Sequence, residues 1–102
     1  MSEGRPQGPG GEIPSGASPY KKTPEFSEES IPAGLLKEHS TKAGVWGVIT
    51  ILSGSLRYVI PETGVDAVLE PDRPGIVLPE QVHFIEAIGP VRFFVEFWRL
   101  GG

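Results

Sequence analysis

Two histidines offer the most versatile chemistry in this chain. His39 lies in the polar stretch "KEHSTKAG", shortly before an apolar run, and His83 lies in "PEQVHFIEA". An imidazole acts as a general base, a hydrogen-bond partner or a metal ligand near neutral pH. The sequence leaves open whether the two rings meet in one site. The alternatives are an exposed or capping role for His39 and a neutral, backbone-bonded core role for His83.

Two glutamates are candidates to complete such a site. Glu96 lies in "RFFVEFWRL", where burying its charge is costly unless a cation or hydrogen-bond donors compensate it. Strand alternation puts Glu96 on the face of Arg92, so an ion pair or an exposed face competes with a role as an inward oxygen ligand. Glu86 follows His83 by three residues and joins the same face only through a bulge or twist. Lys42 is a candidate cation for an anion above the site.

Composition excludes several classes of function. The chain has no cysteine, so disulfides, thiolate metal sites and cysteine nucleophiles are ruled out. A net charge of -4 with scattered Lys and Arg argues against nucleic acid as a partner. No run approaches the ~18 apolar residues of a membrane span, and the first residues lack the apolar core of a secretory signal. We therefore expect a cytoplasmic protein without membrane association.

The first 19 residues differ in composition from the rest. They contain five Gly and four Pro with few apolar side chains, and such a segment buries too little surface to offset the entropy of ordering. We predict a disordered tail over residues 1–19 and a domain over residues 20–102. The alternative is an arm that packs on a neighbouring subunit through Ile13. A domain of this size often gains burial by dimerising, and we expect a homodimer.

Residues 20–102 have the sequence pattern of an all-β domain, in which short apolar runs alternate with turns that contain Gly and Pro. Residues 27–36 predict a short helical turn capped by Ser27. A hairpin is predicted from residues 45–52, the turn "SGS" and the following "LRYVI". A further turn is predicted at Gly89-Pro90, before the last strand. In "VDAVLE", alternation places Val65, Ala67 and Leu69 on one face. The following aromatic residues line either a core or a ligand pocket: Trp46, Phe93, Phe94, Phe97 and Trp98.

Two segments resemble the motifs of the cupin superfamily. "PDRPGIVLPEQVHFIEAIGPVRFFVEF" resembles the second motif, with its ligand histidine at His83, and "VITILSGSLRYVI" resembles the end of the first, closing at Gly54. "TPEFSEESIPAGLLKEHSTKAGVWG" with "PVRFFVEFWR" resembles more narrowly the small cupin domain of TehB-like tellurite-resistance proteins and their YeaR-like relatives. The resemblance spans residues 20–100. It implies a single-domain cupin, a small β-barrel or jelly-roll sandwich.

The resemblance also implies a site, although the usual cupin ligands are reduced. The position of the usual glutamate falls at Gly47, and of the first-motif histidines His39 alone remains. Carried over by position, the narrow family implies His39, His83 and Glu96 as metal ligands, with Glu86 as the other candidate carboxylate. Two imidazoles and one carboxylate suit Zn, Fe, Mn or Ni.

The functional expectation is a metal-binding cupin whose barrel mouth holds a small polar or anionic molecule, with a link to tellurite, oxyanion or nitrosative stress. One alternative is a non-catalytic ligand-binding or sensing module. Another is a structural β domain in which His39 and His83 lie far apart. Relatives join such a domain to a methyltransferase domain, for which this sequence has no Gly-rich cofactor motif. Methyl transfer is therefore expected to come from another protein.

Overall fold

Eight β-strands carry most of the regular structure in residues 6–101, the part of the chain that the computed structural model describes. Two 3-10 helices, Ala33–Leu35 and Pro61–Thr63, are the helical segments in this range, and neither is long enough to cross a membrane. The strands are β1 (Gln7–Gly8), β2 (Gly11–Glu12), β3 (Ala17–Lys22), β4 (Phe26–Ser27), β5 (Trp46–Ile60), β6 (Val65–Leu69), β7 (Gly75–Val77) and β8 (Phe84–Leu100).

A six-stranded antiparallel sheet forms the body of the domain. Its order is β3-β8-β5-β6, with β4 paired to β8 and β7 paired to β5. The two central strands are 15 and 17 residues long and pair along most of their length. The predicted all-β class is confirmed. The sheet is not a closed barrel, because β3 and β6 lie at opposite ends of the strand order.

The central pair bends where the sequence predicted turns. "SGS" does not end a strand, and Gly89-Pro90 lies within β8, so the hairpin predicted over residues 45–60 is wrong. Instead the pairing shifts register on both sides of Ser53 and Gly54, and such bulges bend a strand and increase its twist. Gly54 has φ 80°, and a Cβ at this position would overlap the carbonyl oxygen of Pro90. The Gly and Pro residues therefore mark a bend within two long strands.

The inner face of the bent sheet holds the main core. The alternation predicted for "VDAVLE" is confirmed, because Leu69 is buried and Asp66 and Val68 are exposed. Residues from both halves of the central pair meet in one cluster, so the bend turns the two halves toward each other. The buried members of this cluster are Ile49, Ile51, Leu56, Tyr58, Ile60, Leu69, Val77, Ile85, Val91, Phe93 and Val95.

The segment for which composition predicted a disordered tail is structured where the structure describes it. Residues 6–19 contain β1, β2 and the start of β3, and Ile13 is fully buried against Val48 and Ile76 on the outer face of the sheet. The Ile76 N–H donates to the Pro9 carbonyl (2.8 Å). Gly and Pro allow this close backbone packing while one isoleucine supplies the anchor. Residues 1–5 of the predicted tail lie outside the described residues.

Residues 23–45, which we call the wall segment, connect β3 to β5 and contain β4 and the first 3-10 helix. Thr23 ties the segment to β8, because its N–H donates to the Val95 carbonyl (2.9 Å) and its hydroxyl accepts the Val95 N–H (3.0 Å). The Glu28 carboxylate accepts the Val91 N–H (3.0 Å), and this bond holds the pKa of Glu28 below its usual value. The helical turn predicted over residues 27–36 is reduced to Ala33–Leu35, with Pro32 rather than Ser27 at its N-cap.

Candidate functional site

His39 and His83 form one antiparallel backbone bridge. The His39 N–H donates to the His83 carbonyl (3.0 Å), and the His83 N–H donates to the His39 carbonyl (2.9 Å). Residues directly opposite in such a pair project their side chains to the same face. The ring centroids accordingly lie 4.1 Å apart, with an angle of 55° between the ring planes. The alternative that separated the two imidazoles is therefore wrong.

Both rings are held in the same tautomer. Nδ1 of His39 lies 2.9 Å from the Lys37 carbonyl oxygen, and Nδ1 of His83 lies 2.9 Å from the Gln81 carbonyl oxygen. A carbonyl oxygen only accepts, so each Nδ1 carries the proton and donates. In its neutral form, each ring then has an acceptor lone pair on Nε2. Neither Nε2 is hydrogen-bonded to another of the described residues.

His83 is buried in an apolar environment. The Tyr58 ring packs edge-on against the His83 ring, with 5.8 Å between the ring centroids. The Tyr58 hydroxyl donates to the Ile76 carbonyl (2.7 Å). His83 is 4% exposed. Burial is the main cause that lowers the pKa of His83 to about 4; the Gln81 hydrogen bond opposes this shift, and the neighbouring His39 adds to it. His83 is therefore a neutral imidazole at pH 7.

A cavity of about 450 Å³ lies between the inner face of the sheet and the wall segment. Both histidines line it. This volume falls within the range of roughly 300–1,000 Å³ that is usual for small-molecule sites. The aliphatic and aromatic side chains that line it, apart from the histidines, are Tyr20, Phe26, Pro32, Leu35, Val45, Ile49, Val77, Ile85, Val95 and Phe97.

Thr41 fixes the loop that carries His39. Its hydroxyl donates to the Val45 carbonyl (2.8 Å), and the Glu80 N–H donates to the Thr41 backbone carbonyl (3.2 Å). Glu80 itself has φ 63°, a conformation that is uncommon for a residue with a side chain. These bonds join the loop after His39 to the turn that precedes His83. The two histidines are thus positioned by local turns as well as by their shared bridge.

Two lysines supply the charge in the cavity lining. Lys21 pairs with Phe97 across β3 and β8, and directly opposed residues share a face, so Lys21 faces the cavity. Lys42 lines the cavity from the wall segment; its predicted contact with an anion stays a prediction. Within residues 6–101 no aspartate or glutamate belongs to the lining.

The two predicted carboxylates lie away from the histidines. Glu86 is exposed on the outer face, where Arg57 donates to it (2.7 Å) and also holds Asp66. Glu96 is directly opposite Val48, which belongs to the outer core cluster, so Glu96 also faces away from the cavity. Arg92 pairs with Glu25 (3.5 Å) rather than with Glu96. Strand alternation explains both outcomes, because neither residue shares the inward face of His83.

Fold and site together define a small all-β domain with a partly open cavity beside a pair of histidines. A family model described as the TehB-like domain matches residues 21–95, and the chain belongs to this family. The wider resemblance to the cupin superfamily stays a prediction.

The relatives extend well beyond the matched region. A probable S-adenosyl-L-methionine-dependent methyltransferase TehB from Haemophilus influenzae is 31% identical over 74 residues, which cover 68% of this chain and 26% of the relative. Its counterpart from strain 10810 is 32% identical over 75 residues, with the same coverage. This chain therefore spans about a quarter of the length of these relatives.

Solved structures share the fold. The crystal structure of TehB from Haemophilus influenzae superposes with a TM-score of 0.76 at 26% identity, over 84% of this chain and 32% of that chain. A crystal structure of a protein from E. coli K12 superposes with a TM-score of 0.74 at 24% identity, over 88% of this chain and 97% of that chain. The second likeness concerns the fold alone.

The predicted metal-binding function and divalent-metal cofactor are wrong. The matching relatives are named as S-adenosyl-L-methionine-dependent methyltransferases, not as metal proteins. In the described range, no group of three or more His, Cys, Asp or Glu residues is placed to hold a metal ion. The physical reason is the strand register, which brings His39 and His83 together but turns Glu86 and Glu96 to the other face.

The cavity does not fit S-adenosyl-L-methionine either. Sites for nucleoside cofactors use a glycine-rich turn at a helix N-terminus and an acidic residue for the ribose hydroxyls. Residues 6–101 contain no α-helix, and no carboxylate lines the cavity in this range. The charged residues of the lining are instead Lys21 and Lys42, whose charge disfavours a sulfonium cation. We therefore derive no methyl-transfer step in this domain.

Sequence reasoning missed Lys21 and most of the apolar lining. Lys21 follows a predicted tail and carries no motif, and its orientation depends on a bulge in the pairing of β3 with β8 between Pro19 and Lys21. The lining residues Val77 and Ile85 are spaced like any core residues. The sequence did contain one indication: alternation in the last strand puts Val95 and Phe97 on one face of the strand and Glu96 on the other. Phe97 lines the cavity, whereas Trp46 and Trp98 pack on the outer face.

Proposed function

We propose that this domain binds a small molecule in the cavity beside His39 and His83 and thereby serves S-adenosyl-L-methionine-dependent methyl transfer by a methyltransferase domain. In this role the domain holds the compound on which the reaction depends, and the methyltransferase domain holds the methyl donor. The observation that carries the proposal is the cavity itself, about 450 Å³ with two fixed imidazoles in its lining.

Two further observations support this division of roles. The matched relatives are named as methyltransferases, and this chain spans 26% of their length. The lining combines apolar walls with a few polar groups, as is usual in small-molecule sites. The absence of carboxylates from that lining, within the described range, speaks against the methyl donor as the occupant.

A chimeric enzyme tests the proposal. The matched 74-residue segment of Haemophilus influenzae TehB is replaced by the corresponding part of this chain, and release of S-adenosylhomocysteine is measured. Gly34→Trp adds a large side chain to the cavity lining, because Gly34 lines the cavity and a Cβ there meets no atom within 4 Å. Ala33→Trp is the matched control, since Ala33 is an exposed neighbour outside the lining.

The expected result is an active chimera whose turnover falls with Gly34→Trp and is retained with Ala33→Trp. Equal turnover of the two variants would contradict a role for the cavity. Calorimetric titration of this chain with S-adenosyl-L-methionine is expected to give no binding heat, and saturable binding that Gly34→Trp abolishes would reverse the proposed division of roles.

A further inference from the structure

We propose that the occupant of this cavity is an amphipathic organic anion, a compound with an apolar body, one acidic group and one hydrogen-bond donor. This inference rests on the proposed small-molecule role and names the chemical class that the lining selects. Its three parts follow from three separate features of the cavity.

The first feature is the sign of the charge. Lys21 and Lys42 line the cavity, and no acidic residue in the described range does. The ion pairs between described residues all use arginine, so neither lysine has a carboxylate partner among them. Lys22, by contrast, lies 5.0 Å over the Phe94 ring on the outer face. Both lysines are exposed, and Lys21 also lines a second, shallower pocket with Glu96. Because the lining of the main cavity carries these two cations and no described carboxylate, its charge favours an anion over a neutral or cationic compound.

The second feature is the apolar wall. Apart from the histidines, ten aliphatic or aromatic residues contribute to the lining, among them Phe26, Ile49 and Phe97. A small inorganic oxyanion would lose its hydration against these side chains without gaining enough hydrogen bonds in return. An organic acid places its apolar body there and keeps its charged end at the lysines. The wall therefore favours an organic anion over an inorganic one.

The third feature is the histidine pair. Both Nδ1 atoms donate to backbone carbonyls, which leaves both Nε2 atoms as acceptors. A neutral imidazole acceptor does not pair with a carboxylate, but it does accept from a hydroxyl or an N–H group. The geometry thus favours a second polar group on the ligand, which donates to Nε2 of His39 or His83.

The probes are para-hydroxyphenylpropionate, its neutral methyl ester, phenylpropionate without the hydroxyl, and tyramine as the cation of similar size. Each is titrated into the full chain at pH 7, and binding is followed by calorimetry and by amide NMR shifts. The acid is expected to bind at least about tenfold more tightly than the ester or tyramine, a difference typical of one well-placed charge contact. Removing its hydroxyl is expected to weaken binding by about threefold or more.

Charge variants locate the effect. Lys21→Met and Lys42→Met are expected to reduce the preference for acid over ester by about threefold each, as for partly exposed ion pairs. Lys22→Met removes the same charge from the outer face and is expected to leave this preference unchanged. Gly34→Trp is expected to abolish binding of every probe.

The outcomes separate this inference from the proposed function. Ester or tyramine binding as tight as that of the acid, still blocked by Gly34→Trp, would overturn the anion inference and leave a small-molecule site in place. An equal effect of Lys22→Met and Lys21→Met would overturn it as well. Failure of all four probes to bind overturns the inference, whereas the proposed function is judged separately by the turnover of the chimera.

Discussion

His39 and His83 occupy equivalent positions on the two sides of one backbone bridge. Each ring donates its Nδ1 proton to the carbonyl oxygen two residues earlier, and the two rings face each other at 4.1 Å. The pairing makes each imidazole part of the environment of the other. It also connects the wall segment to the residue that precedes β8, beside the cavity that both rings line.

The buried state of His83 predicts a pH dependence of stability. Its pKa falls from 6.5 to about 4 on folding, so the unfolded chain binds a proton between these values that the folded chain does not. Stability is therefore complete above pH 6.5 and is lost as the pH falls toward 4. The expected loss is about 3 kcal/mol, at about 1.4 kcal/mol for each pH unit. Urea unfolding at pH 7 and pH 4 measures it.

His83→Phe is the control for this pH dependence, because it keeps a ring but removes the titrating group. The variant is expected to have a lower free energy of unfolding at pH 7, since the Gln81 carbonyl loses its donor. Between pH 6.5 and 4 its stability is expected to change less than that of the wild type. Equal changes in the two proteins would show that His83 is not the group responsible.

The backbone contacts of the histidines predict their tautomers. Both rings are expected to carry the proton on Nδ1 at pH 7, because a carbonyl oxygen faces each Nδ1. Long-range nitrogen-proton correlation spectra of the side chains distinguish this form from the Nε2–H form. Detection of the Nε2–H form in both rings would contradict the arrangement and remove the acceptors on which ligand recognition depends.

The bend in the central strands predicts different costs for two glycine substitutions. Gly54→Ala is expected to destabilise the fold by about 1–3 kcal/mol, because a non-glycine residue is strained in the left-handed region and its Cβ would overlap Pro90. Gly89→Ala lies on the other strand of the bend, where a Cβ meets no atom within 4 Å. It is expected to be close to neutral. Chemical unfolding of both variants checks the contrast, and equal costs would contradict the assigned bend.

The packing of the N-terminal strands predicts a role for Ile13. Ile13→Ala is expected to reduce the free energy of unfolding by about 2 kcal/mol or more, as for other buried isoleucines, because Ile13 is fully buried. Glu12→Ala, an exposed neighbour, is the matched control. If the tail were disordered, neither substitution would change the free energy of unfolding. Hydrogen exchange at Ile76, whose N–H is bonded to Pro9, gives an independent measurement.

The ligand geometry predicts the response to metal removal. Two imidazoles without a third ligand from the described residues fall short of the three protein ligands of a typical open metal site. EDTA is therefore expected to leave the Tm unchanged, and metal content is expected to be far below one ion per chain. Stoichiometric metal that is lost from both His39→Ala and His83→Ala would contradict this expectation.

The class of the fold and one half of the site were predictable from the sequence. Alternation in "VDAVLE" and in the last strand reports local geometry, since successive side chains of a strand face opposite sides. The choice of His39 and His83 as candidate site residues followed from their residue type and from the family resemblance, and the structure places the two rings together. The sequence also predicted that Glu96 and Phe97 lie on different faces of the sheet, because adjacent residues of a strand do not share a face.

The hairpin prediction failed for a physical reason. Gly and Pro are favoured both in turns and at bulges, and a local sequence does not distinguish them. Pairing between residues far apart in sequence, such as Gly54 with Val91, keeps both strands continuous through the bend. The predicted homodimer and the predicted domain boundary at residue 20 stay predictions.

The sequence by itself determined which side chains alternate, which residues can carry chemistry and that thiol chemistry is absent. Tertiary structure alone decided that the two histidines share a bridge, that Lys21 and Lys42 line one cavity, and that Ile13 anchors the first strands. The physical reason is register: side-chain direction within a strand is local, but the partner opposite each residue is set by pairing between distant segments. Tertiary pairing therefore determined which residues lie together at the site, and the residue types determined what each of them can do chemically.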